Sequence, residues 1–238
     1  MKILALETSA KSVSCAVVEH SAPLASAYQC TGLTHSRTLL PTVDAMLKNA
    51  ELTLEDIGAF AIAAGPGSFT GLRIGIAAVK GLAWAEEKPC LGVSTLEAMA
   101  ENTAHMDGLI VGAMDARRSQ VYNAVFEAKD GALTRLCADR AIALADLAGE
   151  LAGETRRITV LGDGGTLCWR YLSEHGVPCS LAPAALLYQN AVGVALAAER
   201  AYARGEAVSA QELLPVYLRP AQAERLRSAA LQQEAKQH

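Results

Sequence analysis

Short apolar runs alternate with amphipathic segments through the first hundred residues of the chain. Five segments have the length and residue types of β-strands: 2–7, 13–19, 23–29, 59–64 and 90–93. The first two runs are separated by the polar stretch TSAKS, which predicts a hairpin. Leu39, Val43 and Leu47 share one face of a predicted helix. This helix should begin close to Pro41, because proline is tolerated only in a first turn, and a second helix is predicted over 72–86.

The same order of elements returns in the second half of the chain. GLIVGAMDARRSQVYNAVFEAKDG at 108–131 and KILALETSAKSVSCAVVEHS at 2–21 share one pattern: an apolar strand that ends in an acid, a polar turn and a further strand. RITVLGDGG later repeats a strand followed by a glycine loop. These repeats predict two related α/β halves, each a mixed sheet flanked by helices; the alternative is that unrelated α/β halves look alike at this level. The predicted subdomains are 1–104 and 105–220, with a polar helix or tail at 221–238.

Composition limits the class of protein. The 238 residues carry a net charge of −4, which argues against the chain gripping RNA alone but leaves room for a local basic patch. No apolar run reaches the length of a membrane span, and the N-terminus lacks the parts of a signal peptide, so we expect a cytoplasmic protein that does not contact membranes. The six scattered cysteines contain no CxxC pair and are expected to be free thiols.

Four glycines and a proline lie in GPGSFTGLRIG, at 65–75, between a predicted strand and a predicted helix. The spacing differs from that of a phosphate-binding P-loop, and no lysine follows the second glycine. A stiff bend is better supported, with Ser68 or Thr70 capping the helix. Gly71, Gly75 and Ala78 then form a helix face with little bulk, which another helix can approach closely. The residues expected to position this helix are Gly65, Pro66, Gly67, Ser68, Thr70, Gly71 and Gly75.

The opening strand, acid, turn and strand resemble the start of the superfamily that contains actin, sugar kinases and heat-shock chaperones. This resemblance implies an α/β fold of two actin-like (ribonuclease H-like) subdomains. In active members the turn contacts phosphates, usually through glycines. Here Glu7 replaces an aspartate and the turn has no glycine, which makes the close approach of a phosphate harder. Glu7, Thr8, Ser9 and Lys11 are therefore candidates for a vestigial nucleotide site, and the alternative is a structural hairpin.

Five motifs occur in the order seen in the TsaB (formerly YeaZ) family, and they cover nearly the whole chain: MKILALETSAKSVSCAVV, HSRTLLPTVDAML, GPGSFTGLRIG, LGDGG and PVYLR. The resemblance implies a scaffold without catalytic activity of its own. It would bind TsaD, which makes N6-threonylcarbamoyladenosine at position 37 of tRNAs that read ANN codons. TsaE would join through this assembly, ATP and metal would belong to the partner complex, and tRNA would be reached only through it. The isolated chain is expected to form a homodimer.

The resemblance also places the two N-terminal helices in the contact with TsaD or with a second copy. Carried over onto this sequence, the interface comprises His35, Leu39, Leu40, Val43, Met46, Leu47, Arg73, Ile74, Ala77, Ala78 and Gly81. The alternative is that these side chains are core residues facing their own sheet.

Two other functions stay open at this point, a small-molecule kinase or phosphotransferase of the same fold superfamily and a metalloprotease. TsaD carries an HxxxH metal pair, whereas no two histidines in this chain are four residues apart, so no metal site is expected. The chain is likewise expected to bind no cofactor of its own.

Overall fold

Five strands form the first sheet of the computed structural model, which describes residues 1–219. Their order across the sheet is β3, β2, β1, β4, β5. β1, β2 and β3 are antiparallel neighbours, whereas β4 and β5 run parallel to β1. The bounds are β1 Ile3–Glu7, β2 Val13–Glu19, β3 Ala22–Gln29, β4 Ala59–Gly65 and β5 Cys90–Ser94.

Six strands form the second sheet, and its centre repeats the first arrangement. β6 and β7 make an antiparallel hairpin, and β10 runs parallel to β6 on its other side. The order is β11, β10, β6, β7, β8, with β9 also pairing with β7. The bounds are β6 Gly108–Asp115, β7 Gln120–Lys129, β8 Ala132–Arg135, β9 Arg140–Ala143, β10 Ile158–Leu161 and β11 Ser180–Leu181.

The described α-helices cover both faces of both sheets. Their bounds are α1 His35–Asn49, α2 Phe69–Ala85, α3 Thr95–Glu101, α4 Leu144–Leu151, α5 Gly165–Glu174 and α6 Ala191–Ala203. α1 and α2 share one apolar core with the first sheet, and α6 packs on its opposite face. α4 and α5 cover one face of the second sheet, and α3 covers the other. The predicted fold class, two actin-like subdomains with helix-flanked mixed sheets, is confirmed.

Two predictions about helices need correction. α1 begins at His35 rather than near Pro41, so the proline lies inside the helix. Pro41 removes one backbone N–H donor, while the hydroxyls of Thr38 and Thr42 donate to the carbonyls of Thr34 and Thr38 at 3.3 and 2.7 Å. The helix therefore has extra side-chain bonds on both sides of the proline.

The second correction concerns α6, which the sequence assigned to the second subdomain. It packs instead against the first sheet, where Ala195 and Ala198 are fully buried. The small residues allow close packing, and the backbone of Ala98 lies where a side chain at Gly193 would be. The predicted division between 104 and 105 stays a prediction, and the predicted tail at 221–238 lies outside the described residues.

Candidate functional site

The bend after β4 is shaped by the C-terminal segment 213–219, which we call the strap. The strap's Val216 donates its N–H to the carbonyl of Ala64 at 2.8 Å. Its own carbonyl fills the place where a side chain on Gly65 would stand. Gly65 also has a φ of +140°, in the region that favours glycine. The first glycine of the loop is therefore required by a segment about 150 residues away in sequence, not by a phosphate.

The remainder of the loop starts α2 and packs on the turn between β1 and β2. The hydroxyl of Ser68 accepts a hydrogen bond from the N–H of Gly71 at 3.3 Å, which makes Ser68 the helix cap. The N–H of Ser68 donates to the carbonyl of Ser9 at 2.6 Å. Gly67 lies against the same Ser9 residue, where a Cβ would meet the carbonyl oxygen at 2.6 Å. Thr70 is exposed.

The glycine face of α2 points inward, which corrects the prediction that another helix packs on Gly71 and Gly75. The hydroxyl of Thr8 donates to the carbonyl of Gly71 at 2.8 Å, and a Cβ on Gly71 would collide with the carbonyl of Thr8. A Cβ on Gly75 would lie 2.7 Å from a methyl group of Ile62 and closer still to the Thr8 hydroxyl. The bulk-free surface accommodates the chain's own first turn.

Four predicted interface side chains are also covered by the chain itself: Leu39, Val43, Met46 and Leu47, which are 2–6% exposed. Their spacing places them on the inner face of α1. There they join Leu4 and Leu6 of β1 in the core beneath the helix. The prediction that these four side chains face a partner is wrong, because they anchor α1 to its own sheet.

Four of the remaining predicted interface residues are exposed. On α1, Leu40 is 50% exposed, and on α2 Arg73, Ala77 and Gly81 lie on the surface. No described atom lies within 4 Å of the place where a Cβ on Gly81 would stand. Trp84, one turn further along, is 81% exposed. We call Leu40, Arg73, Ala77, Gly81 and Trp84 the docking strip.

Trp84 is a residue of this surface that the sequence analysis did not select. Its spacing places it on one helix face with positions 73, 77 and 81, but this spacing alone does not show that the face is exposed. A groove of about 1080 Å³ adjoins it, between the C-terminal half of α2 and residues 208–211. Ile74 and Ala78 are half-buried at the edge of the strip.

His35 is half-buried at the start of α1. Its Nε2 lies 2.7 Å from the carbonyl oxygen of Ala10, which ties the helix to the turn between β1 and β2. Nδ1 has no hydrogen-bond partner within the described part of the chain. This geometry gives His35 an anchoring contact rather than a surface position.

The candidate nucleotide residues lie where the two subdomains meet. Glu7 is fully buried, and its Oε1 accepts a hydrogen bond from the N–H of Ser9 at 2.5 Å. Burial raises the pKa of Glu7 to about 7, and Asp163 of the second subdomain contributes in the same direction. Burial also raises the pKa of Asp163, which accepts a hydrogen bond from the Gln189 side chain at 3.1 Å. Two carboxyl groups from different subdomains are thus held in one poorly hydrated junction.

The groups of the first turn are largely engaged in internal contacts. Thr8 donates to α2 and the Ser9 carbonyl accepts from Ser68, whereas Lys11 is exposed. Glu7 Oε2 and the Ser9 hydroxyl lack a partner among residues 1–219. Within the same residues, no group of three or more His, Cys, Asp or Glu side chains could hold a metal ion. The prediction of a vestigial nucleotide site stays a prediction.

The strap joins both subdomains near the start of α2. Tyr217 stacks on Phe69 with ring centroids 4.6 Å apart, and its hydroxyl lies 3.2 Å from Nε of Arg73. Arg219 donates to the carbonyl of Ala116 in the second subdomain at 2.8 Å. The sequence gave no signal for these contacts. No helix in the described range 1–219 combines the length and apolarity needed to cross a membrane.

Comparison with known proteins gives consistent results. A family model described as "TsaD: tRNA N6-adenosine threonylcarbamoyltransferase" matches residues 29–224. The tRNA threonylcarbamoyladenosine biosynthesis protein TsaB of Escherichia coli is 32% identical over 92% of this chain and 95% of its own length. TsaB of Bacillus subtilis is 36% identical over 68% of this chain and 71% of its own length.

A solved structure agrees at the level of the whole fold. The crystal structure titled "YeaZ from Pseudomonas aeruginosa" is 32% identical, has a TM-score of 0.77, and aligns over 91% of this chain and 99% of its own. A second Pseudomonas aeruginosa structure, described as similar to the peptidase YEAZ, gives a TM-score of 0.79 at 32% identity, over 92% of this chain and 99% of its own.

Proposed function

The chain belongs to the TsaB (YeaZ) family, and from this premise we propose that it is the non-catalytic partner of TsaD in tRNA threonylcarbamoyladenosine biosynthesis. In this proposal TsaD carries out the transfer to adenosine 37 of tRNAs that read ANN codons. TsaE joins the assembly, and ATP and metal bind to the partner proteins. The protein acts in the cytoplasm. In isolation it forms a homodimer through the surface that binds TsaD.

The docking strip is the observation that carries the proposal. Ala77 and Gly81 leave the outer face of α2 almost without bulk, so a helix of the partner can approach closely. Trp84, one turn beyond Gly81, and Leu40 on α1 are large apolar side chains that are poorly covered by their own chain. Exposed tryptophan is typical of the residues that dominate binding energy in interfaces. Together with the adjoining groove, the strip can contribute to an interface of about 1,600 Å².

The packing of the first turn supports a role without nucleotide chemistry in this chain. A kinase of this fold needs turn N–H groups and space that a phosphate can reach. Here the loop from Gly65 to Ser68 and the start of α2 lie against Thr8 and Ser9, so that side of the turn is covered by protein. We therefore assign the transfer reaction to TsaD, and we do not assign a kinase activity to this chain.

A substitution at Gly81 tests the proposal. Gly81→Arg places a bulky charge in the middle of the strip, and the open space around this position lets the monomer accept it. In cells that depend on this protein, we expect co-purification with TsaD and the modification of tRNA to be lost together. Unchanged co-purification and unchanged modification would contradict the assignment.

Gly149→Arg is the matched control. Gly149 is also an exposed helical glycine, with no described atom within 4 Å of its missing Cβ, but it lies in α4 of the second subdomain. The same change in charge and volume there should leave both the complex and the modification intact.

A further inference from the structure

We propose that this chain contributes its own contact surface for RNA. The surface consists of Tyr217, Arg219, Arg117 and Arg118, and we call it the basic ridge. It extends from the start of α2 across the strap to the hairpin between β6 and β7. The inference rests on the proposed function in one respect, since it identifies the RNA as the tRNA presented to TsaD.

Contacts in the structure make the ridge continuous. Tyr217 stacks on Phe69 and holds Arg73 at the edge of the docking strip. Two residues further on, Arg219 binds the carbonyl of Ala116 and the side chain of Gln120. Ala116 directly precedes Arg117, and Gln120 follows Arg118 after Ser119. The strap thus contacts both Arg73 of the docking strip and the hairpin that carries Arg117 and Arg118, which places the ridge on the side of the proposed partner.

The hairpin turn holds its arginines in an unusual conformation. Arg117, Arg118 and Ser119 have φ values of +65°, +55° and +55°. Positive φ is uncommon outside glycine, and Asn and Asp are the residues that tolerate it best. Two arginines at such positions are a poor choice for the turn itself. His20 and Ser21 share this conformation in the hairpin between β2 and β3, so exposure and charge, rather than the backbone, favour a role for the arginine side chains.

The charges of the turn are available to a ligand. Arg117 has a side chain that is 86% exposed and forms a surface ion pair with Asp115 at 3.2 Å. Such pairs contribute little in water, so a phosphate group can compete with Asp115 for the guanidinium. Arg118 is also exposed. Because the chain as a whole carries a net charge of −4, a polyanion should bind at a local basic surface such as this one.

The aromatic component favours RNA over an acidic protein. Tyr217 is 36% exposed at the strap, two residues before Arg219, and its hydroxyl lies 3.2 Å from Nε of Arg73. Aromatic rings interleaved with arginines are typical of surfaces that stack bases and track a phosphate backbone. The ligand class is therefore a single-stranded or loop region of RNA, of the kind found in tRNA.

Binding of unmodified tRNA to the complex with TsaD tests the proposal, measured by fluorescence anisotropy over a series of salt concentrations. The variant is Arg117→Asn with Arg118→Asn, because asparagine tolerates the positive φ and the turn should stay folded. We expect affinity to fall by about tenfold or more at low salt, and the slope of log K against log salt to decrease by about 2, one unit for each lost phosphate contact. Unchanged affinity and an unchanged salt slope, with the complex intact, would contradict the proposal that the basic ridge contacts RNA.

Lys129→Gln with Arg170→Gln is the matched control, since both positions are exposed and the pair removes the same charge. Lys129 ends β7, at the opposite end from Gln120. This control should bind tRNA like the original chain, and an equal loss in both variants would reduce the ridge to a non-specific charge effect. Co-purification with TsaD is measured on the same samples. If no complex forms with the original chain, the proposed function fails, and the same titration on the chain alone still decides whether the arginines bind RNA.

Discussion

Both faces of α2 carry small residues, but the inner face packs against the chain itself and the outer face is exposed. On the inner face, Gly71 and Gly75 are small because the backbone and hydroxyl of Thr8 occupy the space beside them. On the outer face, Ala77 and Gly81 are small although the described chain leaves the space above Gly81 empty. Internal packing explains the first pair and not the second. Because Gly81 also lies one turn from Trp84, which is 81% exposed, we assign the outer face of α2 to another molecule.

The largest expected effect tests whether Glu7, which lies next to Thr8 beneath the inner face of α2, is shielded from water. The pKa of Glu7 is raised from 4.5 to about 7 by burial, so the folded protein keeps a proton that the unfolded chain has lost. The free energy of unfolding should therefore fall as pH rises from about 4.5 to about 7, by about 3 kcal/mol from this group, and level off above. Denaturant unfolding at a series of pH values measures this.

Glu7→Gln isolates this contribution, since the amide keeps an oxygen that can accept from Ser9. The variant should be more stable than the original chain above pH 7, and its dependence between pH 4.5 and 7 should be shallower. Asp163 titrates with a raised pKa in the same junction, so some slope should remain. If the free energy of unfolding depends on pH in the same way in Glu7→Gln and in the original chain over this range, the carboxyl group of Glu7 is not shielded from water.

The next effect comes from Gly75→Ala on the inner face. Its Cβ would stand 2.7 Å from a methyl group of Ile62 and closer to the Thr8 hydroxyl, so β1 or α2 must shift. We expect a loss of about 1–3 kcal/mol in the free energy of unfolding, the usual cost of overpacking a core. Thermal and denaturant unfolding measure it, and an unchanged stability would show that the helix is not seated tightly on the first turn.

The smallest effect is expected from the identical substitution on the outer face. Gly81→Ala meets no described atom and replaces the poorest non-proline helix former with the best. The free energy of unfolding should rise by about 0.5–1 kcal/mol. Because alanine is still small, association with TsaD should be preserved. A destabilised Gly81→Ala would remove the contrast between the two faces.

Local pattern was enough for much of the fold. The apolar strand runs, the capping role of Ser68 and the strand, turn and strand order of both halves follow from short-range chemistry, and the structure contains them. The stripe of Leu39, Val43 and Leu47 was likewise visible, but a periodic stripe does not say whether its partner is the chain's own sheet or another protein. Here the sheet is the partner.

The remaining errors involve contacts between distant parts of the chain. The direction in which Gly75 faces is set by Thr8, and the conformation of Gly65 is set by Val216. Neither can therefore be predicted from residues that are close in sequence. Tyr217 reaches Arg73 across 144 positions. The exposure of Trp84 became visible only once the inner face of α2 had been identified, because a helix with small residues on both sides gives no internal clue to which side is buried.

The affinity of the purified chain for TsaD, measured by isothermal titration calorimetry for Gly81→Arg and Gly149→Arg, tests the docking strip most directly. We expect Gly81→Arg to weaken binding by at least about 30-fold, about 2 kcal/mol, because a charged side chain prevents close helix approach. Gly149→Arg should bind like the original chain. Equal affinities for the two variants would contradict the docking of TsaD on the outer face of α2.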